Sequence, residues 1–302
     1  MDRVIVTTTI HPPTEALEEF AAKSGWHLIV VLDRNSAPFS LPGAEVLTVE
    51  DQERLDKGLS DALGWSCIQR RNMGFLHAYR GGADVIASVD DDNIPLPERG
   101  TNVRVGLPTE CEVFEAVDPA TKAFEPLAVT SANHLWHRGF PLTELPRRAY
   151  RSVGTKQITP QIEASLWLGD PDVDAVCRLE HSPYLDELTG PMPFASSLIS
   201  PFNSQNTFIA REWLPEYMCF IDVGRYDDIW ASYHVQALGA SVIFSAASVV
   251  QKRNPHDILN DFREEVMGDI ATPAALDAIS DGSKRAIQAA LPPRSQEAFA
   301  VY

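Results

Sequence analysis

The segment VIASVDDDNIP, from Val85 to Pro95, is the part of the sequence that most strongly indicates the fold. An apolar run rich in β-branched residues ends in three consecutive aspartates, Asp90, Asp91 and Asp92. In open α/β sheets, ligands bind in the crevice beyond the carboxyl ends of the strands. Neighbouring carboxylates raise one another's pKa and repel unless a cation or hydrogen-bond donors neutralise them. The triplet therefore indicates either a divalent-cation site at the end of a strand or a solvated acidic turn.

The composition is that of a globular protein with a strongly acidic surface. The 302 residues are 44% hydrophobic and 22% charged, and their formal net charge is -17. This charge argues against nucleic acid or an anionic membrane as a partner, because phosphate binding needs a basic surface. No apolar run is long enough to span a bilayer, and the start lacks a signal peptide. The four cysteines form no CxxC pair, so we expect reduced thiols in a cytoplasmic protein without a membrane anchor.

Strands and helices alternate in the first third of the chain, which predicts a doubly wound, largely parallel sheet. No GxGxxG or GxxxxGK[ST] motif occurs, which weighs against a dinucleotide-binding dehydrogenase and a P-loop NTPase. The predicted strands are Arg3 to Ile10, Trp26 to Leu32, Ala44 to Val49 and the strand before the triplet, and the predicted helices are Thr14 to Lys23 and Arg70 to Tyr79.

The later part of the chain is more mixed. Strand-like pieces occur at Glu112 to Val117 and Leu127 to Ser131, and GDPDVDAVCRL (Gly169 to Leu179) is interpreted as an acidic turn that runs into a strand. After these we expect a helix from the Asp227-Asp228 pair to Leu238, a strand at Ala240 to Val250, a polar segment, a helix from Pro273 to Leu291 and a fraying polar tail.

Several polar residues lie near predicted strand ends and are candidates for ligand contacts. Asp33 is either a loop acid or an acceptor for a nucleobase, and Thr8 lies at the polar end of the first strand. Arg70 and Arg71 are either surface charges or phosphate ligands, which the planar guanidinium suits. Lys252, Arg253 and His256 form a compact basic group late in an acidic chain; they favour phosphate binding, although His256 could equally cap a helix.

Two further stretches favour sugar chemistry. PFNSQNTFI supplies the hydrogen-bonding side chains of Asn203, Gln205 and Asn206, which suit either sugar hydroxyls or a turn before a strand. GRYDDIW places Asp227 and Asp228 at the start of a helix, where acids favour the positive helix terminus. One of these two aspartates could alternatively be a general base held against an acceptor hydroxyl.

Taken in order, these blocks resemble two related families of glycosyltransferase-like proteins. RRNMGFLHA, VDDDN, RGFPL, GDPDVDAVCRL, PFNSQNT, DIW and VVQKRNPHD are similar to the soluble domain of the STELLO family. DDD, RGFPL, SLWLGDPDVDA and GRYDDIWASY are similar to the reversibly glycosylated polypeptides, which include the UDP-arabinopyranose mutases. The similarity covers roughly Val4 to Glu265.

The resemblance implies an α/β fold of the GT-A-like (Rossmann-like) nucleotide-diphosphosugar transferase type, with a mixed, mostly parallel sheet flanked by helices. We expect one such domain over residues 1–270, with a nucleotide-binding half at 1–96 and an acceptor and sugar-binding half at 97–270. Residues 271–302 are expected to form a C-terminal helical tail.

The function implied by the resemblance is metal-dependent glycosyl transfer from a nucleotide-diphosphate sugar, expected to be a UDP-sugar. Asp90 and Asp92 would bind Mn²⁺ or Mg²⁺, with His256 as a further candidate ligand, and Asp91 would face the donor. Asp228 is the first choice for the base and Asp227 the second. The reaction would be inverting transfer to a glycan or small hydroxyl acceptor in glycan or polysaccharide biosynthesis.

Two alternatives remain open. The site could serve a nucleotide-sugar pyranose/furanose mutase or a self-glycosylating protein, in which Arg138 is the nearest counterpart of the modified arginine and Arg147 or Arg148 also lie close to it in the sequence. Here Asn93 follows the triplet where the mutases usually have cysteine. The chain could also be a catalytically silent GT-A scaffold for a polysaccharide synthase. We expect no nucleic-acid partner, and a homo-oligomer is compatible with the sequence.

Overall fold

A computed structural model of the chain describes residues 2–254 and 257–302. In these ranges eleven strands form one sheet. In chain order the strands are β1 (Arg3–Thr9), β2 (His27–Leu32), β3 (Ala44–Leu47), β4 (Val85–Val89), β5 (Asn93–Pro95), β6 (Thr109–Ala116), β7 (Tyr150–Ile158), β8 (Ile162–Gly169), β9 (Phe194–Ser196), β10 (Asn206–Ala210) and β11 (Val242–Gln251).

The same ranges contain nine α-helices and several short 3₁₀ helices. The α-helices are α1 (Glu15–Ala21), α2 (Val49–Leu55), α3 (Lys57–Leu63), α4 (Arg71–Arg80), α5 (Ala175–His181), α6 (Asp227–Leu238), α7 (Ile258–Ser280), α8 (Ala286–Ala290) and α9 (Pro293–Val301). None of the helices in these ranges has the length and hydropathy that a bilayer-spanning segment needs.

The strand order across the sheet is β3-β2-β1-β4-β10-β8-β11-β9-β6-β7, with β5 paired to β11. Strands β1 to β4 are mutually parallel, and β8 and β11 run in the same direction as they do. Strand β10 lies between β4 and β8 and is antiparallel to both. The prediction of a mixed, mostly parallel sheet flanked by helices is confirmed.

The central strands are buried on both faces, as parallel strands covered by helices usually are. All five residues of β4 are buried, and five of the six residues of β2 are. Helix α4 packs closely on this part of the sheet through Gly74, where an added Cβ would lie 2.5 Å from the Val6 side chain. The end of β4, and therefore the aspartate triplet, is held in a rigid part of the fold.

Three sequence-based assignments in the middle of the chain were wrong or missing. The polar segment after β3 forms α2 and α3, which begin with side-chain caps from Thr48 and Asp56. Residues predicted as a strand at Leu127 to Ser131 instead include a 3₁₀ helix, Pro126–Val129. The strand predicted within GDPDVDAVCRL is helix α5, because the Asp174 carboxylate accepts the backbone N–H of Cys177 and caps it.

The C-terminal region is also more regular than predicted. Helix α7 is capped by Asp257 and runs through Pro273, so it begins fifteen residues before the predicted helix start. It also contains residue 270, where the sequence predicted the end of the main domain. The predicted polar tail forms α9, whose Ala298 and Ser295 are buried. The Phe299 ring packs at right angles to the Phe220 ring, with their centroids 5.4 Å apart. Burial of a few residues against the main body stabilises this helix despite its polar composition.

Candidate active site

Strand polarity gathers the polar segments at one edge of the sheet. The carboxyl ends of β4, β8 and β11 lead into Asp90, Asp170 and Lys252 respectively. Because β10 is antiparallel to its neighbours, its first residue, Asn206, pairs with the last residue of β4, Val89. The segment that precedes β10 therefore reaches the same edge as the segments that follow the parallel strands.

A cavity of about 150 Å³ opens at this edge. It brings together five of the predicted site residues, which are Asp90, Gln205, Asp227, Asp228 and Arg253. Its lining also includes Arg138, Asp172 and Arg225. Residues that are more than a hundred positions apart in the sequence thus converge on one small volume.

The three aspartates of the triplet have different partners. Asp90 forms an ion pair with the buried guanidinium of Arg71. Asp91 accepts a hydrogen bond from the Thr9 hydroxyl. The Oδ1 atom of Asp92 is buried and has no hydrogen-bond partner in the described parts of the chain. Burial and the neighbouring carboxylates of Asp90 and Asp91 raise the pKa of Asp92. The charge of Arg253 and the backbone N–H of Asn254 offset this rise only in part, so the chain compensates the Asp92 carboxylate incompletely.

This arrangement fits a hard divalent cation that the substrate helps to bind. Within residues 2–254 and 257–302, no group of three or more His, Cys, Asp or Glu side chains is arranged as a metal cage. Mg²⁺ and Mn²⁺ sites at phosphates need only one or two protein carboxylates, since phosphate oxygens and waters complete the coordination. Asp90 and Asp92 could supply these carboxylates. His256, the third candidate ligand, lies outside the described residues.

A second cavity, of about 270 Å³, adjoins the first, and Ile68 lines both. Thr8, Asp33 and Asp91 line it. The Thr8 hydroxyl donates to the carbonyl of Val31, at 2.9 Å. The buried Asp33 carboxylate accepts the backbone N–H groups of Ser66 and Cys67 at 2.9 and 3.1 Å. Asp33 therefore shapes the wall of this cavity by fixing the loop before α4.

The two acids at the start of α6 are in unlike environments. The Asp228 carboxylate accepts the backbone N–H and the hydroxyl of Ser204 at 2.8 and 2.9 Å, and its Oδ1 lies 3.1 Å from Arg138 Nη2. Burial alone would raise the pKa of Asp228, but Arg138 and the Ser204 donors lower it. Asp227 accepts one hydrogen bond from the Gln69 amide, at 2.9 Å. Burial and the charge of Asp228 raise the pKa of Asp227.

Asp172 is the centre of an arginine cluster that the sequence did not reveal. Its carboxylate lies 2.9 Å from Arg138, 3.4 Å from Arg253 and 3.7 Å from Arg225, and it accepts the Asn203 amide N–H at 2.8 Å. Burial opposes its ionisation, but these three arginines hold the pKa of Asp172 well below its usual value. The signal that could have found it is its position in the acidic segment that follows β8, since Asp90 likewise lies in the acidic segment that follows β4.

Two predicted contact residues are not brought into the cavity. The buried guanidinium of Arg70 donates to the Gln52 side chain and to the Ser60 carbonyl, and it stacks 3.8 Å from the centre of the Trp65 ring. Asn206 donates to the Leu166 carbonyl beneath the sheet. Both side chains are fully used within the protein interior, so the structure does not support their predicted contacts with phosphate or sugar.

Two other predicted phosphate ligands have supporting or peripheral positions. Arg71 is buried below the cavity, where it donates to Ser204 and pairs with Asp90. Lys252 is exposed and pairs with Glu15 at 2.7 Å. Of the predicted cations in the described residues, Arg253 therefore faces the cavity directly, while Arg71 orients the carboxylate that does so.

Comparison with solved structures gives the following matches. A mycobacterial protein has a TM-score of 0.43 and 13% identity, and the match covers 91% of this chain and 74% of that one. Glucosyl-3-phosphoglycerate synthase from Mycobacterium tuberculosis, in complex with phosphoglyceric acid, has a TM-score of 0.42 and 13% identity over 91% of this chain and 79% of that one. The same enzyme with Mn²⁺ and UDP-glucose has a TM-score of 0.41 and 11% identity over 90% and 78%.

Comparison with known sequences points to the STELLO proteins. No family model matches the chain. It is 26% identical over 224 residues to the probable glycosyltransferase STELLO2 of Arabidopsis thaliana and 26% identical over 228 residues to STELLO1 of the same plant. Each match covers 68% of this chain but only 29% of the relative, so the chain spans less than a third of the curated relatives that it matches. These matches confirm the resemblance to STELLO-type glycosyltransferase-like proteins that the order of the motifs indicated.

Proposed function

We propose that the protein is a metal-dependent glycosyltransferase that uses a nucleotide-diphosphate sugar, with a UDP-sugar as the expected donor, and a GT-A-type site. The observation that carries the proposal is the incompletely neutralised triplet Asp90 to Asp92, whose first residue lines the same cavity as the acid pair Asp227 and Asp228. The names of the STELLO relatives, which are probable glycosyltransferases, support it. The natural reaction for this arrangement is inverting transfer to a hydroxyl acceptor in glycan or polysaccharide biosynthesis.

The donor would lie across the two adjoining cavities. Asp90 and Asp92 would hold Mn²⁺ or Mg²⁺ together with the diphosphate, and the bound cation would stabilise the negative charge that develops on this leaving group. Arg253 lines the cavity and supplies a second positive charge for the same group. The cavity lined by Thr8, Asp33 and Asp91 would receive the nucleoside.

The environments of the two α6 acids favour Asp227 as the base, which reverses the order expected from the sequence. A base must be able to accept a proton, and the raised pKa of Asp227 makes it the stronger acceptor. Asp228 has its oxygens occupied by Ser204 and Arg138. Asp227 would take the proton from the acceptor hydroxyl, while Asp228 would fix the segment before β10.

The test is a panel of nucleotide sugars scanned for thermal stabilisation with and without Mn²⁺. A donor at about 100 times its dissociation constant adds about 2.7 kcal/mol to the free energy of unfolding, which such a scan resolves. We expect Asp92→Asn to remove the Mn²⁺-dependent stabilisation, and Asp227→Asn to retain it while losing transfer. The same aspartate-to-asparagine change at the exposed residue Asp61, Asp61→Asn, is the control.

Equal donor affinity in the wild type and in Asp92→Asn at saturating Mn²⁺ would contradict the metal assignment. If calorimetry detects neither nucleotide nor Mn²⁺ binding by the wild type, the catalytically silent scaffold replaces the enzyme as the function.

One observation favours the second candidate, a nucleotide-sugar mutase or self-glycosylating protein. Arg138, the nearest of the three candidate counterparts of the modified arginine, lines the same cavity as Asp90 and Asp227. Product separation distinguishes the candidates. Conversion of a pyranose to a furanose nucleotide without acceptor, or sugar covalently attached to the protein, supports this candidate. Transfer that requires an added glycan or small alcohol supports the transferase.

A further inference from the structure

Arg99, in the loop after β5, is a buried cation that the mechanism does not use. The residue is 1% exposed, and its Nε donates to the Asn206 side chain at 3.1 Å. Its two terminal nitrogens, Nη1 and Nη2, are buried and have no hydrogen-bond partner in the described residues. The guanidinium carbon lies 5.0 Å from the centre of the Phe20 ring and 4.8 Å from that of the Phe208 ring.

This environment leaves most of the donor capacity of Arg99 unsatisfied. A guanidinium has five N–H donors, and four of them are on the two terminal nitrogens. The faces of Phe20 and Phe208 attract the positive charge but provide no lone pairs in the plane of the guanidinium. A buried charge without paired donors costs several kcal/mol in general. Arg99 therefore requires an acceptor that the chain itself does not supply.

Arg99 is part of the wall of a cavity of about 140 Å³. Arg104, Ser165, Ser245 and Ser248 are also part of its wall. None of its lining residues lines the cavity that contains Asp90 and Asp227. The volume is sufficient for one small oxyanion or for several water molecules.

The acids nearby do not neutralise Arg99. The Glu163 carboxylate is held by the Arg104 side chain at 2.7 Å and by the Ser245 hydroxyl at 2.6 Å. The other acid of the lining, Glu98, is exposed. Burial lowers the pKa of Arg99 to about 9, and the charge of Glu163 offsets this only in part. At neutral pH the cavity thus contains a guanidinium cation whose counter-charge is bound elsewhere.

We propose that this cavity is a second binding site, for a small oxyanion held by both terminal nitrogens of Arg99. Two parallel N–H donors of one guanidinium match two oxygens of a phosphate or of a carboxylate, and this bidentate geometry is among the strongest that proteins use. The cavity is too small for a nucleotide, so the ligand class is inorganic phosphate or a short carboxylic acid.

The proposed site and the candidate active site are connected through neighbouring residues of the chain. Asn206, which accepts from Arg99, directly follows Gln205, which lines the active-site cavity. Side chains alternate along a strand, so Asn206 and Phe208 lie on the face of β10 that contacts Arg99. An anion at Arg99 would therefore brace the start of β10, from which the segment with Asn203 to Gln205 extends.

The experiment is calorimetric titration of the full chain with inorganic phosphate and, separately, with acetate, at constant ionic strength set with NaCl. Arg99→Lys keeps the charge but loses the bidentate geometry, and Arg54→Lys is the same change at an exposed position on α2, outside both cavities. We expect a phosphate or acetate site whose affinity falls at least tenfold in Arg99→Lys and is unchanged in Arg54→Lys. Preference for phosphate or for acetate identifies the natural ligand class, and either preference supports the proposal.

Ser165→Val is a second variant, because it narrows the cavity while leaving Arg99 in place. It should weaken binding of the same anion even if Arg99→Lys fails to fold. Two outcomes would overturn the proposal. One is the absence of saturable binding of either anion by the wild type, which would mean that water satisfies Arg99. The other is wild-type affinity in Ser165→Val or in a folded Arg99→Lys variant.

Discussion

Asp90, the first residue of the triplet after β4, lines one cavity with the buried aspartates beside Arg138, yet the charges of the triplet and of those aspartates are compensated differently. Asp172 and Asp228 share Arg138 and accept further hydrogen bonds from Asn203 and Ser204 respectively. Asp92 and Asp228 each have one buried oxygen without a hydrogen-bond partner in the described residues, but that of Asp228 lies 3.1 Å from Arg138, whereas burial and the acids beside it raise the pKa of Asp92. Asp172 and Asp228 are thus neutralised by an arginine, and Asp92 is neutralised only in part.

The difference separates carboxylates that hold the site in shape from those that are free to bind. Acids that a buried arginine neutralises contribute geometry, because losing either partner leaves the other charged and buried. An acid that is neutralised only in part is held at a cost, which a bound cation would remove. Residue type and burial alone do not distinguish a structural carboxylate from one that is free to bind. The hydrogen-bond and ion-pair partners of each carboxylate do.

The largest expected effect is on the neutralised group. Asp172→Asn would leave Arg138 and its neighbours without their shared counter-charge, and breaking a buried ion pair in this way typically costs about 3–5 kcal/mol. We expect a loss of that size in the free energy of unfolding, measured by urea denaturation. The exposed substitution Asp61→Asn should change it by less than about 0.5 kcal/mol.

If Asp172→Asn costs no more than Asp61→Asn, the carboxylate at the centre of the arginine cluster does not support the site, and the contrast with the triplet fails.

A smaller effect of opposite sign is expected in the triplet. The pKa of Asp92 is raised in the folded state, so at neutral pH its ionisation opposes folding, and an amide removes that cost. Without metal, Asp92→Asn should raise the free energy of unfolding by about 2–4 kcal/mol, because the pKa of Asp92 is raised from 3.8 to about 7 and one pKa unit corresponds to about 1.4 kcal/mol. The same urea titration in saturating Mn²⁺ is the comparison, where the wild type should gain stability and the variant should not. A variant less stable than the wild type in metal-free buffer would show that the Asp92 carboxylate has a structural partner.

The smallest effect concerns Asp227, the acid that precedes Asp228 at the start of α6. Asp227 must be ionised to act as a base, so kcat/KM should rise with pH through its raised pKa. Gln69 donates a hydrogen bond that favours the ionised form. Gln69→Leu should therefore move the acidic limb of the pH profile to higher pH, with Gln288→Leu, on α8, as the control. A limb that stays in place, or one at the pKa of an ordinary aspartate, would assign the base to another residue.

The regular parts of the fold could be predicted from local sequence alone. The runs that became β1, β2, β4 and α6 have strong apolar patterns, and their positions agree with the structure to within a few residues. Helix α2 could have been found, since Thr48 and Asp51 form a capping box at its start. Helix α9 could not, because burial against the main body, rather than its own composition, stabilises it.

The site was predictable only where it depends on strand polarity. The location of Asp90 to Asp92 follows from the end of β4, and the start of α6 was recognised from its acids. The pairing of Arg138 with Asp172 joins residues that are 34 positions apart and has no local signal. Arg70 and Arg71 are adjacent, but successive residues at a helix start point about 100° apart. One consequently enters the interior beside α3, while the other supports the cleft.

The reversed direction of β10 has a practical consequence for altering this protein. In a wholly parallel sheet, the loops after the strands would all be the places to change specificity. Here the segment that leads into β10, residues 200–205, reaches the cleft, whereas the far end of the strand, at Ala210, pairs with the start of β4 on the opposite edge. Libraries aimed at new acceptors should therefore randomise the entry to this strand, and reporter groups or fusion points belong at its exit.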